Sequence, residues 1–146
     1  MVRPRCMLLL CMLLGLVACA RHDAPDPSAQ QAAASARIQA IPKADPAKYH
    51  GTRGKSWRNP YLIVKPDGVA LLDVDNNLEH IMKPDELTER LAELPASAWP
   101  YGRVVAVTES PVARSDHDKA EMRKNRAIVA GTLESMHVMI NWIPSA

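Results

Sequence analysis

The sequence predicts an α+β domain in which a mixed four-stranded sheet packs against two helices, in the order β-β-α-β-α-β. Residues 61–64 form a short apolar run, and residues 103–108 have the density of β-branched side chains that is typical of a buried strand. Leu87, Leu91 and Leu94 lie between these runs at helical spacing. A helix that connects two buried strands favours a crossover between parallel strands, which makes the sheet mixed.

A hairpin is predicted at the start of the domain. Residues 61–64 and 69–72 are apolar, and the Lys-Pro-Asp-Gly sequence between them places proline and glycine where a β-turn favours them. Residues 78–82 are interpreted as a short extension of the second strand.

Capping residues mark the two helices. Pro84 stands at the first position of the first helix, where its missing N–H costs no hydrogen bond, and Pro95 ends that helix. Ser115 and Asp118 have the spacing of a capping box at the start of the second helix. The last strand is predicted at residues 137–142, where apolar and mixed positions alternate.

The N-terminus has the order of a secretory signal. Two arginines precede an apolar run over residues 6–18, and polar residues follow it. The run is shorter than the roughly 20 residues that span a bilayer as a helix. Residues 16–19, Leu-Val-Ala-Cys, resemble the lipobox of bacterial lipoproteins, in which the cysteine is acylated and becomes the mature N-terminus. We therefore expect residues 1–18 to be removed and Cys19 to carry the lipid; an ordinary secretory signal and an uncleaved anchor are the alternatives.

Charge and cysteine content narrow the functions of the exported chain. No cysteine follows Cys19, so the exported domain forms no internal disulfide. The sequence has 18 basic and 16 acidic residues, and removal of Arg3 and Arg5 with the signal leaves the two signs equal in number. Binding to nucleic acid requires clustered, uncompensated cations, so no nucleic-acid partner is expected.

The mature chain is predicted to consist of a tether and a domain. Residues 19–56 are rich in alanine, glutamine, serine and proline, which predicts a flexible tether with a reach of roughly 30 to 35 Å. Residues 57–146 are predicted to form one small α+β domain. Acyl chains on Cys19 would hold this domain on a membrane. Because Ala20 follows the cysteine, we expect the outer membrane, with the domain facing the periplasm.

The order of elements resembles the periplasmic domain of the ExbD/TolR family. The likeness extends over residues 61–142 and depends on the tight turn at residues 65–68, the helix with Leu87 and Leu91, and the Arg-Val-Val-Ala-Val strand at residues 103–107. It implies a periplasmic module that forms a homodimer and contacts peptidoglycan or an envelope protein. In that family a transmembrane aspartate serves proton-driven energy coupling. The hydrophobic segment of this chain holds no acidic residue, so that role is not carried over.

Residues 73–79 alternate oxygen-bearing side chains as the start of a calcium loop does. The sixth and twelfth positions of such a loop need glycine and glutamate, but in this chain they are Leu78 and Pro84. The five histidines show no pair at the spacing of a zinc site. We therefore expect a polar turn at residues 73–79, with no metal and no cofactor.

Catalytic motifs are equally sparse. The sequence has no Gly-x-Ser-x-Gly elbow, no phosphate-binding glycine loop and no thiol in the exported domain. Asp116 and Asp118 flank His117, but both stand where they favour a helix start. An enzyme is therefore disfavoured. The alternative is a hydrolytic or ligand-processing lipoprotein that uses acidic and imidazole side chains, namely Asp73, Asp75, His80 or His117.

Aromatic residues supply the candidate binding surface. Trp57 and Arg58 end a stretch that mixes cations with aromatics, and Trp99 and Tyr101 lie in the loop after the first helix. Tyrosine and tryptophan anchor glycans and protein partners. The alternative is that Trp99 and Tyr101 fold back and cover the sheet edge. The favoured hypothesis is a lipid-anchored binding or scaffolding domain of the cell envelope, with a protein or peptidoglycan as partner.

Metabolic labelling with a palmitate analogue tests the anchor. The wild-type chain is expected to incorporate the label, and Cys19→Ala is expected to lose it because the acceptor sulfur is gone. Cys11→Ala alters a cysteine inside the predicted signal and serves as the matched control, which should be labelled like the wild type. A mature protein with an unmodified Cys19, or with the signal still attached, would contradict the prediction.

Overall fold

The computed structural model describes residues 26–52, 56–73 and 75–145. Its helices are α1 (Pro27–Gln39), α2 (Pro46–Tyr49), α3 (Leu87–Ala92) and α4 (Asp116–Ser135). Its strands are β1 (Tyr61–Lys65), β2 (Gly68–Asp73), β3 (Leu78–Met82), β4 (Val104–Glu109) and β5 (Met139–Trp142). The predicted signal at residues 1–18 and the predicted lipid site at Cys19 lie outside the described residues. None of the helices in the described ranges is long and apolar enough to span a membrane.

The five strands form one mixed sheet in the order β3-β2-β1-β4-β5. Strand β2 is antiparallel to both of its neighbours, β1 and β3. Strand β4 is parallel to both of its neighbours, β1 and β5. The α+β class, the opening hairpin and the mixed sheet are therefore confirmed.

The prediction of four strands is wrong, because residues 78–82 form a strand of their own instead of extending β2. Asp73 is paired with Leu78, so the chain reverses direction between these two residues. Asn77 adopts a positive φ of 52° in this turn, a conformation that asparagine tolerates better than most residues. From β1 onward, the seven strands and α-helices of the described chain therefore follow the order β-β-β-α-β-α-β, with α1 and α2 before them.

Helices α1, α3 and α4 cover one face of the sheet and enclose the main core. Helix α3 contributes Leu87 and Leu91, which are fully buried at the predicted spacing, and Leu94 beyond its end is half-buried. Five strand residues of this core have no exposed surface: Leu62, Val64, Val69, Val105 and Val107.

Helix α4 is fixed at its start and in its middle. Ser115 Oγ accepts the Asp118 N–H at 3.0 Å, and Asp118 Oδ2 accepts the Ser115 N–H at 3.1 Å. These two bonds confirm the predicted capping box. Further along the helix, the buried Asn125 amide donates to the carbonyl oxygens of Lys65 and Pro66, which ties α4 to the turn between β1 and β2.

The prediction of a flexible tether over residues 19–56 is wrong for residues 27–49. Helix α1 packs against α3, and its Ile38 has no exposed surface. Asp26 caps the helix by accepting the Ser28 N–H at 3.0 Å. The alanines that suggested a tether support packing instead, because small side chains let two helices approach closely. The folded domain therefore begins about 30 residues before the predicted boundary at residue 57.

The segment after α1 covers part of the second face of the sheet. Arg103 N–H donates to the Pro42 carbonyl oxygen at 2.8 Å, which holds this segment beside the start of β4. The segment continues into α2, where the Tyr49 ring contacts Trp57 and Tyr101, with centroids of the three rings 5.3 to 6.0 Å apart. This aromatic cluster covers strand residues of the second face: Tyr61, Val104 and Ala106.

Replacement of Ile38 tests whether α1 belongs to the domain. Ile38→Ala is expected to lower the free energy of unfolding by about 2 to 5 kcal/mol, because it leaves a cavity in the core between α1 and α3. Arg37→Ala, on the exposed side of the same helix, is the matched control and should change it by less than about 0.5 kcal/mol. The measurement is urea denaturation followed by tryptophan fluorescence. Equal stability of the two variants would show that α1 does not contribute to the core.

Candidate functional site

A cleft of about 300 Å³ opens at the end of the sheet where β1 begins and β2 ends. Because these strands are antiparallel, the loop before β1 lies beside the turn after β2. We call this site the Arg58 cleft. Its volume lies at the small end of the range for ligand-binding clefts. The described residues that line it are Trp57, Arg58, Asn59, Pro60, Leu71, Leu72, Asp73, Asp75, His80, Leu94 and Ala98.

The cleft brings together two groups of residues that the sequence placed in separate hypotheses. Trp57 and Arg58 were candidates for binding, and Asp73, Asp75 and His80 were candidates for hydrolysis. Antiparallel pairing of β1 with β2 and of β2 with β3 makes them neighbours although they are well separated in sequence.

Of the other candidates that the structure describes, His117, Trp99 and Tyr101 lie outside this cleft. His117 is exposed in the first turn of α4. Hydrogen bonds from Ser115 lower the pKa of the neighbouring Asp118 carboxyl group, which caps the helix. The run around His117 therefore forms a helix start and not an acid-base trio.

Asp73 is held by its own turn. Its Oδ1 accepts the backbone N–H groups of Asp75 and Asn76, both at 3.1 Å, and its Oδ2 accepts the Asn76 side-chain amide at 2.8 Å. The bonds from the Asn76 side chain and backbone favour the charged form and lower the pKa of Asp73. Its carboxylate therefore shapes the turn. Within the described ranges, no group of His, Cys, Asp or Glu side chains is arranged to hold a metal ion.

The charged side chains at the rim of the cleft form only a weak ion pair with each other. Arg58 Nη1 lies 3.6 Å from Asp75 Oδ1, and the two side chains are 61% and 85% exposed. Ion pairs with this exposure contribute about 1 kcal/mol or less. His80 is also exposed. A ligand can therefore replace either partner of the Arg58 pair at little cost.

Asn59, a residue that the sequence analysis missed, fixes the floor of the cleft. Its side-chain amide donates to the carbonyl oxygens of Gly102 and Val104, both at 2.7 Å. Its side-chain oxygen accepts the Tyr101 N–H at 2.9 Å. The one signal for this role is an asparagine before Pro60, a pair that favours the start of a turn.

Burial contradicts the prediction that Trp57 and Trp99 contact a partner. Trp57 is fully buried, and its indole N–H donates to the Pro60 carbonyl oxygen at 3.2 Å. Trp99 is 4% exposed and belongs to the main core. Tyr101 is half-buried against Trp57 and donates from its hydroxyl to the Ser56 carbonyl oxygen. The loop thus folds back onto the sheet, as the alternative interpretation held.

No protein-family model, curated protein or solved structure matches this chain. The likeness to the ExbD/TolR periplasmic domain therefore stays a prediction, and the case for function depends on the chain's own residues.

The role of Asp73 predicts a pH dependence of stability. Because its pKa is lowered in the folded chain, its contribution is fully present above the ordinary aspartate pKa of about 3.9 and is lost as pH falls through the lower, folded value. Asp73→Ala should therefore melt below the wild type at pH 7, and the difference should shrink between about pH 4 and pH 2.

Asp67→Ala is the matched control, because it removes an exposed aspartate from the neighbouring turn. Its melting temperature should stay closer to that of the wild type at pH 7. The measurement is thermal melting followed by circular dichroism, at pH 7 and again at about pH 2. A difference between Asp73→Ala and the wild type that is constant with pH would contradict the role assigned to the ionised carboxylate.

Proposed function

We propose that this chain is a lipid-anchored protein of the bacterial cell envelope that binds a peptide-bearing partner in the Arg58 cleft. The lipobox-like residues 16–19 support the anchor. The cleft supports binding, because it combines an apolar floor with a charged, accessible rim. In this proposal the domain faces the periplasm at the outer membrane, and its partner is an envelope protein or peptidoglycan.

The lining of the cleft indicates the chemistry of the ligand. Leu71, Leu72 and Leu94 supply apolar surface, while Arg58 and Asp75 offer one cationic and one anionic group. A peptide presents apolar side chains beside amides and charges of both signs, so it matches this lining better than a simple ion or an alkyl chain does. Envelope proteins and the stem peptides of peptidoglycan share this chemistry.

Hydrolysis is the second candidate, because Asp73, Asp75 and His80 line one cleft. Two observations favour binding over it. Both oxygens of Asp73 already accept hydrogen bonds within the turn. Asp75 is exposed, whereas a general base is usually tuned by burial or by close neighbours.

Cosedimentation with purified peptidoglycan sacculi and crosslinking in intact envelopes test the binding proposal. The double variant Arg58→Ala/His80→Ala is expected to lower recovery of the partner about tenfold, because it removes the guanidinium and imidazole contacts of the rim without altering the core. Its melting temperature should stay within a few degrees of the wild type, since both side chains are exposed.

The matched control is His117→Ala/Arg123→Ala, which removes the same two residue types from the exposed surface of α4. Recovery should remain at the wild-type level in this control. Equal recovery from both double variants would reject the Arg58 cleft as the binding site. Release of soluble fragments from sacculi by the wild type, and not by His80→Ala, would instead support hydrolysis.

A further inference from the structure

We infer that a second crevice, which Lys43, Arg103 and His137 line, binds the carboxylate or phosphate group of a small anion. This crevice has a volume of about 500 Å³. It lies beside the start of β4, where the segment after α1 meets the start of β5. We call it the Arg103 crevice. Its lining includes, among the residues that the structure describes, Gln39, Lys43, Ala44, Arg103, His137 and Met139.

This inference is independent of the proposed function. None of the described residues lines both the Arg103 crevice and the Arg58 cleft. Either site could therefore fail its test without affecting the other.

The lining of the Arg103 crevice is cationic. Lys43 and Arg103 carry positive charges, His137 adds an imidazole, and no acidic side chain occurs among the described residues that line it. The ion pairs between described residues involve neither Lys43 nor Arg103. Two neighbouring cations repel each other, and an anion bound between them would turn this repulsion into attraction.

The Arg103 side chain provides a second, independent observation. Its Nε atom is buried and has no hydrogen-bond partner among the described residues. Buried donors are nearly always satisfied, so this one needs an explanation. The guanidinium would have to turn toward the crevice for an oxyanion to reach this N–H. An oxyanion that then accepted the Nε–H and one terminal N–H would satisfy it in the two-pronged geometry that arginine offers to carboxylate and phosphate.

Backbone pairing holds the lining in position before any ligand binds. Arg103 N–H donates to the Pro42 carbonyl oxygen at 2.8 Å, and Met139 N–H donates to the Arg103 carbonyl oxygen at 3.0 Å. Lys43 and Arg103 also form a parallel bridge. Because the three segments are already joined, binding an anion would cost little ordering of the backbone.

The remaining lining residues indicate what the anion carries. Gln39 offers an amide donor, and Ala44 and Met139 offer apolar surface, with Met139 49% exposed. This apolar wall suits a short carbon chain attached to the charged group. Carboxylate and phosphate place similar oxygens on the guanidinium, so the experiment compares the two directly.

Titration of the full-length protein in non-ionic detergent, followed by ¹H–¹⁵N NMR spectra, tests the inference. The probes are sodium succinate and sodium phosphate, each added at constant ionic strength set with sodium chloride. At least one probe is expected to shift the amide signals of Lys43, Arg103, His137 and Met139 in a saturable way. The probe that saturates at the lower concentration identifies the preferred oxyanion.

Arg103→Gln and Lys43→Gln are each expected to raise the dissociation constant about tenfold or more, the effect of losing a hydrogen bond to a charged group. Arg103→Lys keeps the positive charge but removes the paired N–H donors of the guanidinium, so it should give an intermediate loss of affinity. Arg123→Gln and Lys48→Gln remove exposed cations elsewhere and are the matched controls. Neither control should change the constant by more than about twofold.

Two results would overturn the inference. One is the absence of a saturable shift with either probe. The other is an equal loss of affinity in the crevice variants and in the controls, which would mean that the anions respond to overall charge. Lys43 is exposed, so Lys43→Gln leaves the core intact and decides the matter even if Arg103→Gln fails to fold.

Discussion

The fold depends on covering a sheet whose central strands are apolar on both faces. In β4, the four successive residues from Val104 to Val107 have no exposed surface, so side chains that point to opposite faces are buried alike. Helices α1, α3 and α4 account for one face. The other face would leave Tyr61, Val104 and Ala106 in water, and the chain covers them with the segment that precedes β1. Burial of aromatic rings in this cover favours a single docked position, because each ring removes a large apolar area from water.

This constraint also explains where both candidate sites lie. The segment that covers the second face also runs past the ends of the strands. The hydrogen bonds that fix the segment at these strand ends leave openings beside the bonded residues. Asn59 bonds to the chain around β4 and leaves the Arg58 cleft between the loop before β1 and the turn after β2. Arg103 bonds to Pro42 on the other side of β4 and leaves the Arg103 crevice next to β5. The two sites are thus consequences of how the second face is closed.

Sequence patterns predicted the elements whose signals are local. The turn at residues 65–68, the buried spacing of Leu87 and Leu91 and the capping box at Ser115 each depend on residues a few positions apart, and the structure confirms them. The third strand was missed because Leu78–Met82 is an exposed edge strand, with four of its five residues exposed and no clear alternation. Such a strand is defined by its pairing with β2.

The N-terminal segment and the candidate sites were harder to predict, because their structure depends on contacts between residues that are far apart in the sequence. The composition of residues 27–49 is that of a tether, and α1 becomes a core helix only through packing on α3. In the sequence alone, Trp57 fits a residue that contacts a partner as well as one that covers a sheet face. Only its burial distinguishes the two roles. Residues from separate hypotheses, such as Arg58 and Asp75, meet in one cleft because of strand pairing, which spacing along the chain does not reveal.

The docking of α1 changes what a lipid on Cys19 would do. If residues 19–56 were all flexible, the domain could stand roughly 30 to 35 Å from the membrane. With α1 beginning at Pro27, only residues 20–26 separate the proposed anchor from the folded domain. Even fully extended, a chain of that length spans at most about 25 Å, and as a coil it reaches roughly 15 Å. A domain anchored in this way would stay close to the bilayer.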